Sequence, residues 1–426
     1  MTDDRDRLRA LLPSWEARPR AAAVAGELAG VPAVAIADLV LDDDEPFWRR
    51  ESCAQALVGR VPAERATALV AHVCDNEVGY KVGRALVAAL DVPGGPYSGT
   101  LRTRALERGN YYVAELLGAR ALLDAASSGD ATALGLLAVM ASSPWRHLRV
   151  SGEEAIDELI ERRGLPALLA MLGTDSPEGL ARTGTRPAER LLGLRLVWRA
   201  GGDIAPSLGD ESALVSRRAY DLLIAGYGED APLLAMVEEG RPGFLWALPI
   251  LHERGHGIRP MWKRLGSPRV EVPGVPPDMR EAIVREYTPG QTGTDPLWLI
   301  EAALLDPPPS PDEARESQDE RLRAACAALA GAGLDPQEPV PVGRHMHSGN
   351  GTYHVISTDA GTVWVSTLGP YVAVPDDARA ASALRDAGFL RVDGELADTT
   401  FTGLAVYFFG SRDPLTVRDL VFYWQD

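Results

Sequence analysis

From about residue 5 to residue 265, apolar side chains recur at i, i+3, i+4 and i+7, the stripe of a helix packed on one face. Val34-Ala35-Ile36-Ala37-Asp38-Leu39-Val40 and Leu134-Gly135-Leu136-Leu137-Ala138-Val139-Met140 are the densest such runs. Each is followed by a polar turn and a second segment of the same period. A lone hairpin of two such helices exposes two apolar faces, which only stacked neighbours can cover, so the pattern predicts an array.

The hairpins share a signature: an acidic or Ser turn residue, a cation six positions later, then small and apolar residues at helical spacing. It reads Asp44 with Arg50, Asp75 with Lys81 and Arg84 after it, Ser143 with Arg149, and Glu211 with Arg217. Spacings of 31, 68 and 68 residues give a unit of about 31 to 34, weaker copies near Arg108 and Asp175 filling the gaps. A row of Arg50, Lys81, Arg84, Arg149 and Arg217 reads either as a binding row or as a ladder of struts bonded to turn residues. The ladder is the preferred expectation.

With an apolar first helix, an acidic turn and a Val–Arg-like pair opening the second helix (Val78 to Lys81, Val215 to Arg217), the chain resembles HEAT-repeat proteins. Its compact period is similar to that of the phycobilin-lyase-type HEAT-like repeats. The resemblance implies a mostly α fold, a right-handed HEAT-like α-solenoid of helical hairpins. It names no chemistry, since such scaffolds carry many unrelated activities.

Beyond residue 265 the periodicity breaks. Residues 266–295 read as an irregular insertion with one short helix at 278–287, followed by a helix at 296–305. Asp306-Pro307-Pro308-Pro309-Ser310-Pro311 reads as a stiff linker. This predicts a helical domain over 1–305, a linker at 306–312 and a small α+β domain over 313–426 with a leading helix at 312–331. Within it, 353–357 and 362–367 alternate around Thr358-Asp359-Ala360-Gly361 and predict a β-hairpin. A helix at 376–387 stopped by Gly388 follows, then apolar runs at 389–392, 404–409 and 415–424.

Charge narrows the partners. A net charge of −17 repels the phosphate backbone, so nucleic-acid binding is disfavoured and a basic protein or peptide is favoured. Lysine occurs only at Lys81 and Lys263 among abundant Arg, Ala, Gly and Pro, a usage that follows GC-rich, bacterial coding. Three scattered cysteines indicate neither a disulfide framework nor a Cys-based zinc site, which fits a reducing cytoplasm. The acidic start is unlike a signal peptide, and no apolar run is long enough to span a bilayer.

Two histidine groups carry the enzyme alternatives. His252-Glu253-Arg254-Gly255-His256 spells H-E-x-x-H, which on an unbroken helix would place two imidazoles on one face for zinc, Glu253 serving as base. Gly255 argues that the helix ends inside the string, and only Glu281 or Glu286 offers itself as a third ligand. His345, His347 and His354 form a second candidate metal set, with Gly349-Asn350-Gly351 between them as either a tight turn or a phosphate-binding loop. Nine tryptophans, among them Trp48 and Trp145 near matching turns, also resemble the helical DNA glycosylases of the HEAT-like kind. The leading expectation is a binding scaffold without catalytic residues or cofactor. A zinc hydrolase and a nucleic-acid-handling protein are the alternatives.

Overall fold

The computed structural model describes residues 2–12, 28–76, 78–289, 294–342, 350–408 and 411–425. The chain is mostly helical, with a small mixed sheet near the C-terminal end. It divides into two compact units, Met1–Ser207 and Leu208–Asp426.

The first unit runs α1 (Thr2–Leu11), α2 (Ala33–Val40), α3 (Phe47–Ala56), α4 (Ala63–Asp75), α5 (Tyr80–Leu90), α6 (Ser98–Arg108) and α7 (Tyr111–Leu117). It continues through α8 (Ala119–Ser127), α9 (Ala131–Ala141), α10 (Arg146–Arg163), α11 (Leu165–Leu172), α12 (Pro177–Thr183) and α13 (Pro187–Arg199). Most of these helices pack on neighbours one or two places along the chain: α2 on α3 and α4, α5 on α3, α4 and α7, α6 on α4, and α9 on α7, α8 and α10. One continuous core runs from Leu8 to Leu196, as expected where each helix buries its stripe against the next. Helix starts are set locally. Asn110 caps α7 by accepting from Val113 N–H, and Asp130 caps α9 by accepting from Thr132 and Ala133 N–H.

The second unit holds α14 (Ala213–Ile224), α15 (Asp230–Glu239), α16 (Phe244–Glu253), α17 (Arg259–Arg264), α18 (Pro277–Tyr287), α19 (Pro296–Leu304) and α20 (Pro311–Gly331). Then come β1 (Asn350–Gly351), β2 (Tyr353–Thr358), β3 (Gly361–Ser366), β4 (Tyr371–Ala373), α21 (Ala378–Asp386), β5 (Leu390–Arg391), α22 (Gly394–Asp398), α23 (Val417–Val421) and β6 (Trp424–Gln425). The sheet order is β2-β3-β4-β5, with β4 and β5 parallel, and β1 pairs separately with β6. The hairpin falls where the alternation placed it, Thr358 pairing with Gly361 across a two-residue turn.

Both faces of this sheet are covered. Ile356, Val363, Val365 and Val372 share one core with Ala325 and Leu329 of α20 and with Ala380 and Leu384 of α21. Tyr353 and Tyr371 share the other core with Met279, Ile283 and Tyr287 of α18, Trp298 of α19, and Leu420 of α23. The Pro-rich segment 306–312 lies inside the second unit, Leu208–Asp426. The physical reason is burial: Trp298 is fully buried, stacks on Phe401 at 5.4 Å and donates its indole N–H to Thr402 O at 3.0 Å. The run at 404–408 carries the isolated Phe408–Ser411 bridge, and within 415–424 the Thr416–Asp419 capping box starts α23, while Trp424 falls in β6.

Candidate functional site

The H-E-x-x-H string does not lie on one helix. α16 ends at Glu253, Arg254 caps it, and Gly255 takes φ 86°, the left-handed geometry that stops a helix. His252 and Glu253 are exposed, whereas His256 turns back to bond Asp230 at 2.7 Å. Arg254 donates to the same carboxylate at 2.8 Å and to the carbonyls of Leu223 and Tyr227. Hydrogen bonds from His256 and then Arg254 hold Asp230 below the usual carboxylate range. The trio ties the end of α16 to the first turn of α15. Glu281 is paired with Arg285 at 2.7 Å. Among the described residues, no three His, Cys, Asp or Glu side chains converge as a metal-ligand set. His345 and His347 lie outside the described residues. His354 is buried in β2, where its Nδ1 accepts from Val342 N–H at 3.2 Å.

The cation row separates by position. Arg50 pairs with Asp43 at 2.9 Å, not with the neighbouring Asp44, donates to Val40 O at 3.0 Å, and bonds the buried His72. Arg149 donates to Ser143 O at 3.1 Å, the turn residue six positions before it. Arg217 bonds Asp221 in its own helix at 3.0 Å and lies over the rings of Tyr220 and Trp246. Lys81 and Arg84 are exposed on α5.

Cross-helix ion pairs instead involve residues outside that row. Arg65 of α4 reaches Asp38 of α2 at 2.6 Å, Arg104 and Arg108 of α6 share Asp75 of α4, and Arg195 of α13 holds Asp157 of α10 at 2.7 Å. The hydrogen bonds from Arg104 and Arg108 lower Asp75 to about 2. The partners lie 27, 29, 33 and 38 residues apart in sequence, with one helix between them for Arg65, Arg104 and Arg108 and two for Arg195.

A second periodic feature is aromatic. Phe47, Tyr80, Tyr112 and Trp145 recur every 32 or 33 residues, each within two positions of a helix start. Phe47 is 51% exposed, Tyr80 53% and Trp145 50%, values unusual for large rings in a well-packed unit. Tyr80 rests edge-on against Tyr112, ring centroids 6.1 Å apart. Tyr112 lies across α5 because Gly83 leaves room: a Cβ there would stand 2.7 Å from the Tyr112 hydroxyl. That hydroxyl is buried without a hydrogen-bond partner, and burial raises it to about 12.

Only part of this row was visible in the Trp48–Trp145 match. Trp48 is 8% exposed, and its neighbour Phe47 occupies the position equivalent to Trp145. The row is marked in the sequence by the 32- or 33-residue phase of aromatics of any type near helix starts, and only one of its four members is a tryptophan. An open groove of about 630 Å³ between α4 and α6 is lined mainly by Thr67, Val70, Ala71, Gly99, Thr100 and Thr103. Its cation, Arg104, is already committed to Asp75. No protein-family model, curated protein or solved structure matches this chain.

Proposed function

We propose that residues 1–207 form a HEAT-like α-solenoid whose row of helix-start aromatics binds a protein segment in extended conformation. The observation that carries this reading is the set of half-exposed rings Phe47, Tyr80 and Trp145, with Tyr112 beneath Tyr80 at the intermediate phase of the 32- or 33-residue series. Large rings dominate binding energy at protein interfaces, and repeat units present them at regular intervals. Helices α3 and α5 pack on each other; packed helices lie about 8–10 Å apart and an extended chain rises about 3.3 Å per residue, so Phe47 and Tyr80 would meet about every third side chain. The net charge of −17 favours a basic segment through steering. No chemical step is required of this surface.

The test is affinity capture from native lysate with the wild-type chain and with Phe47→Ser/Tyr80→Ser/Trp145→Ser. Since all three rings are half exposed, the variant should keep its circular dichroism and melting temperature while losing the captured partner. Retention of the same partner at wild-type yield by the folded variant would show that the row is not the binding surface.

A further inference from the structure

Residues 208–426 contain 32 Asp and Glu against 19 Lys and Arg, yet the stretch 255–270 contains four cations and no carboxylate. Those cations are Arg259, Lys263, Arg264 and Arg269, and Lys263 is one of only two lysines in the chain. Three of them, Arg259, Lys263 and Arg269, line a cavity of about 300 Å³ between α17, the loop that follows it, and helices α18 and α19. Trp262, Leu297, Leu304 and Leu305 give the cavity an apolar wall.

The carboxylates in the cavity wall are already matched. Glu301 takes a bidentate pair from Arg280 at 2.7 and 2.6 Å, and Arg280 also lies over the Trp298 ring at 4.6 Å. Glu281 is held by Arg285. Lys263 and Arg269 have no ion-pair partner among the described residues, and the one bond of Arg259 goes to the Leu304 carbonyl at 2.8 Å. Three cations without counter-ions on one wall repel one another, and an anion between them relieves that repulsion.

The loop is built to hold this arrangement. Ser267, at φ 51°, is the one non-glycine residue at positive φ among the described residues. Its N–H is bonded to Trp262 O at 3.1 Å, which closes α17 and brings Pro268 and Arg269 to the cavity wall. Non-glycine residues held in that sparsely populated region are concentrated at ligand-binding segments. The acidity of the unit does not oppose an anion here. At physiological ionic strength the Debye length is about 8 Å, so a ligand in the cavity feels the adjacent cations and little of the remote carboxylates.

We propose that this cavity is a binding site for a small organic phosphomonoester, its dianionic end held by Arg259, Lys263 and Arg269 and its apolar or ring-bearing body against Trp262 and the leucines. A volume of about 300 Å³ is at the small end of ligand sites and excludes a large cofactor. The site belongs to the second unit and is independent of the aromatic row.

Calorimetric titration of the full chain with phenyl phosphate, inorganic phosphate and phenol tests it. Phenyl phosphate should bind with a stoichiometry of one and more tightly than inorganic phosphate, and phenol should give no saturable heat. Lys263→Met and Arg269→Met should each weaken phenyl phosphate about tenfold or more, the loss expected for one charged hydrogen bond. Both side chains are exposed, so the melting temperature should hold, and Lys81→Met in the first unit should leave the affinity unchanged. Absence of saturable phenyl phosphate binding at millimolar concentration would overturn the proposal, as would equal affinity in a folded Lys263→Met/Arg269→Met double variant.

Discussion

His72 shows how one residue couples a helix to the turn before it. It is 5% exposed in α4, yet it meets Arg50 of α3 at Nε2 and the Asn76 side-chain amide at 3.0 Å from Nδ1. Burial, and then the Arg50 charge, lower its affinity for a second proton, and Asp43 only partly opposes them. The sign follows from linkage. The unfolded chain takes up the proton near pH 6.5 while the folded chain resists it, so this contribution is fully present above pH 6.5 and lost as pH falls toward the folded value. The melting temperature of the wild-type chain should therefore fall between pH 7.5 and 5.5 more steeply than that of His72→Gln. Parallel pH profiles for the two proteins would show that His72 titrates as it does in the unfolded chain. Nothing in the sequence around residue 72 marks it, because Arg50 is 22 positions away and the pairing exists only once α3 and α4 pack.

Helices in this chain meet at close range where glycine permits it. Gly193 lies inside α13, and a Cβ there would stand 2.2 Å from the backbone N and 2.6 Å from the Cα of Ala181 in α12. Backbone cannot move aside as a side chain can, so Gly193→Ala should destabilise the unit by about 1–3 kcal/mol or more through overpacking. Gly135 in α9 is the matched control: its added Cβ would meet only the Leu106 side chain, which can change rotamer. Gly135→Ala should thus cost clearly less in urea denaturation, and equal midpoints for the two variants would contradict the crossing geometry. The helices themselves were legible from their apolar period, as α2 and α9 show. The α12–α13 crossing was not, because a glycine in a helical pattern looks alike whether it faces solvent or another backbone.

For the whole chain, the decisive feature is where the cores end. Tyr287 of α18 is buried and donates its hydroxyl to Leu420 O at 2.6 Å, and Trp298 of α19 is enclosed by Phe401 and Thr402. A fragment covering 313–426 would leave that face of the sheet uncovered and should be unfolded, with no cooperative melt. A fragment covering 208–426 retains both cores and should melt cooperatively. A folded 313–426 fragment would restore the boundary that the Pro-rich segment suggested. The sequence by itself determined the helical period, the change to alternation near residue 353, the hairpin at Asp359-Ala360 and the broken H-E-x-x-H helix. Each of these depends on residues within a few positions of one another. Tertiary structure alone decided that 266–305 shares a core with the sheet, that Arg104 and Arg108 serve Asp75, and that three cations of 259–269 line one cavity. Those outcomes depend on which apolar faces bury each other across the fold, and local pattern carries no record of that choice.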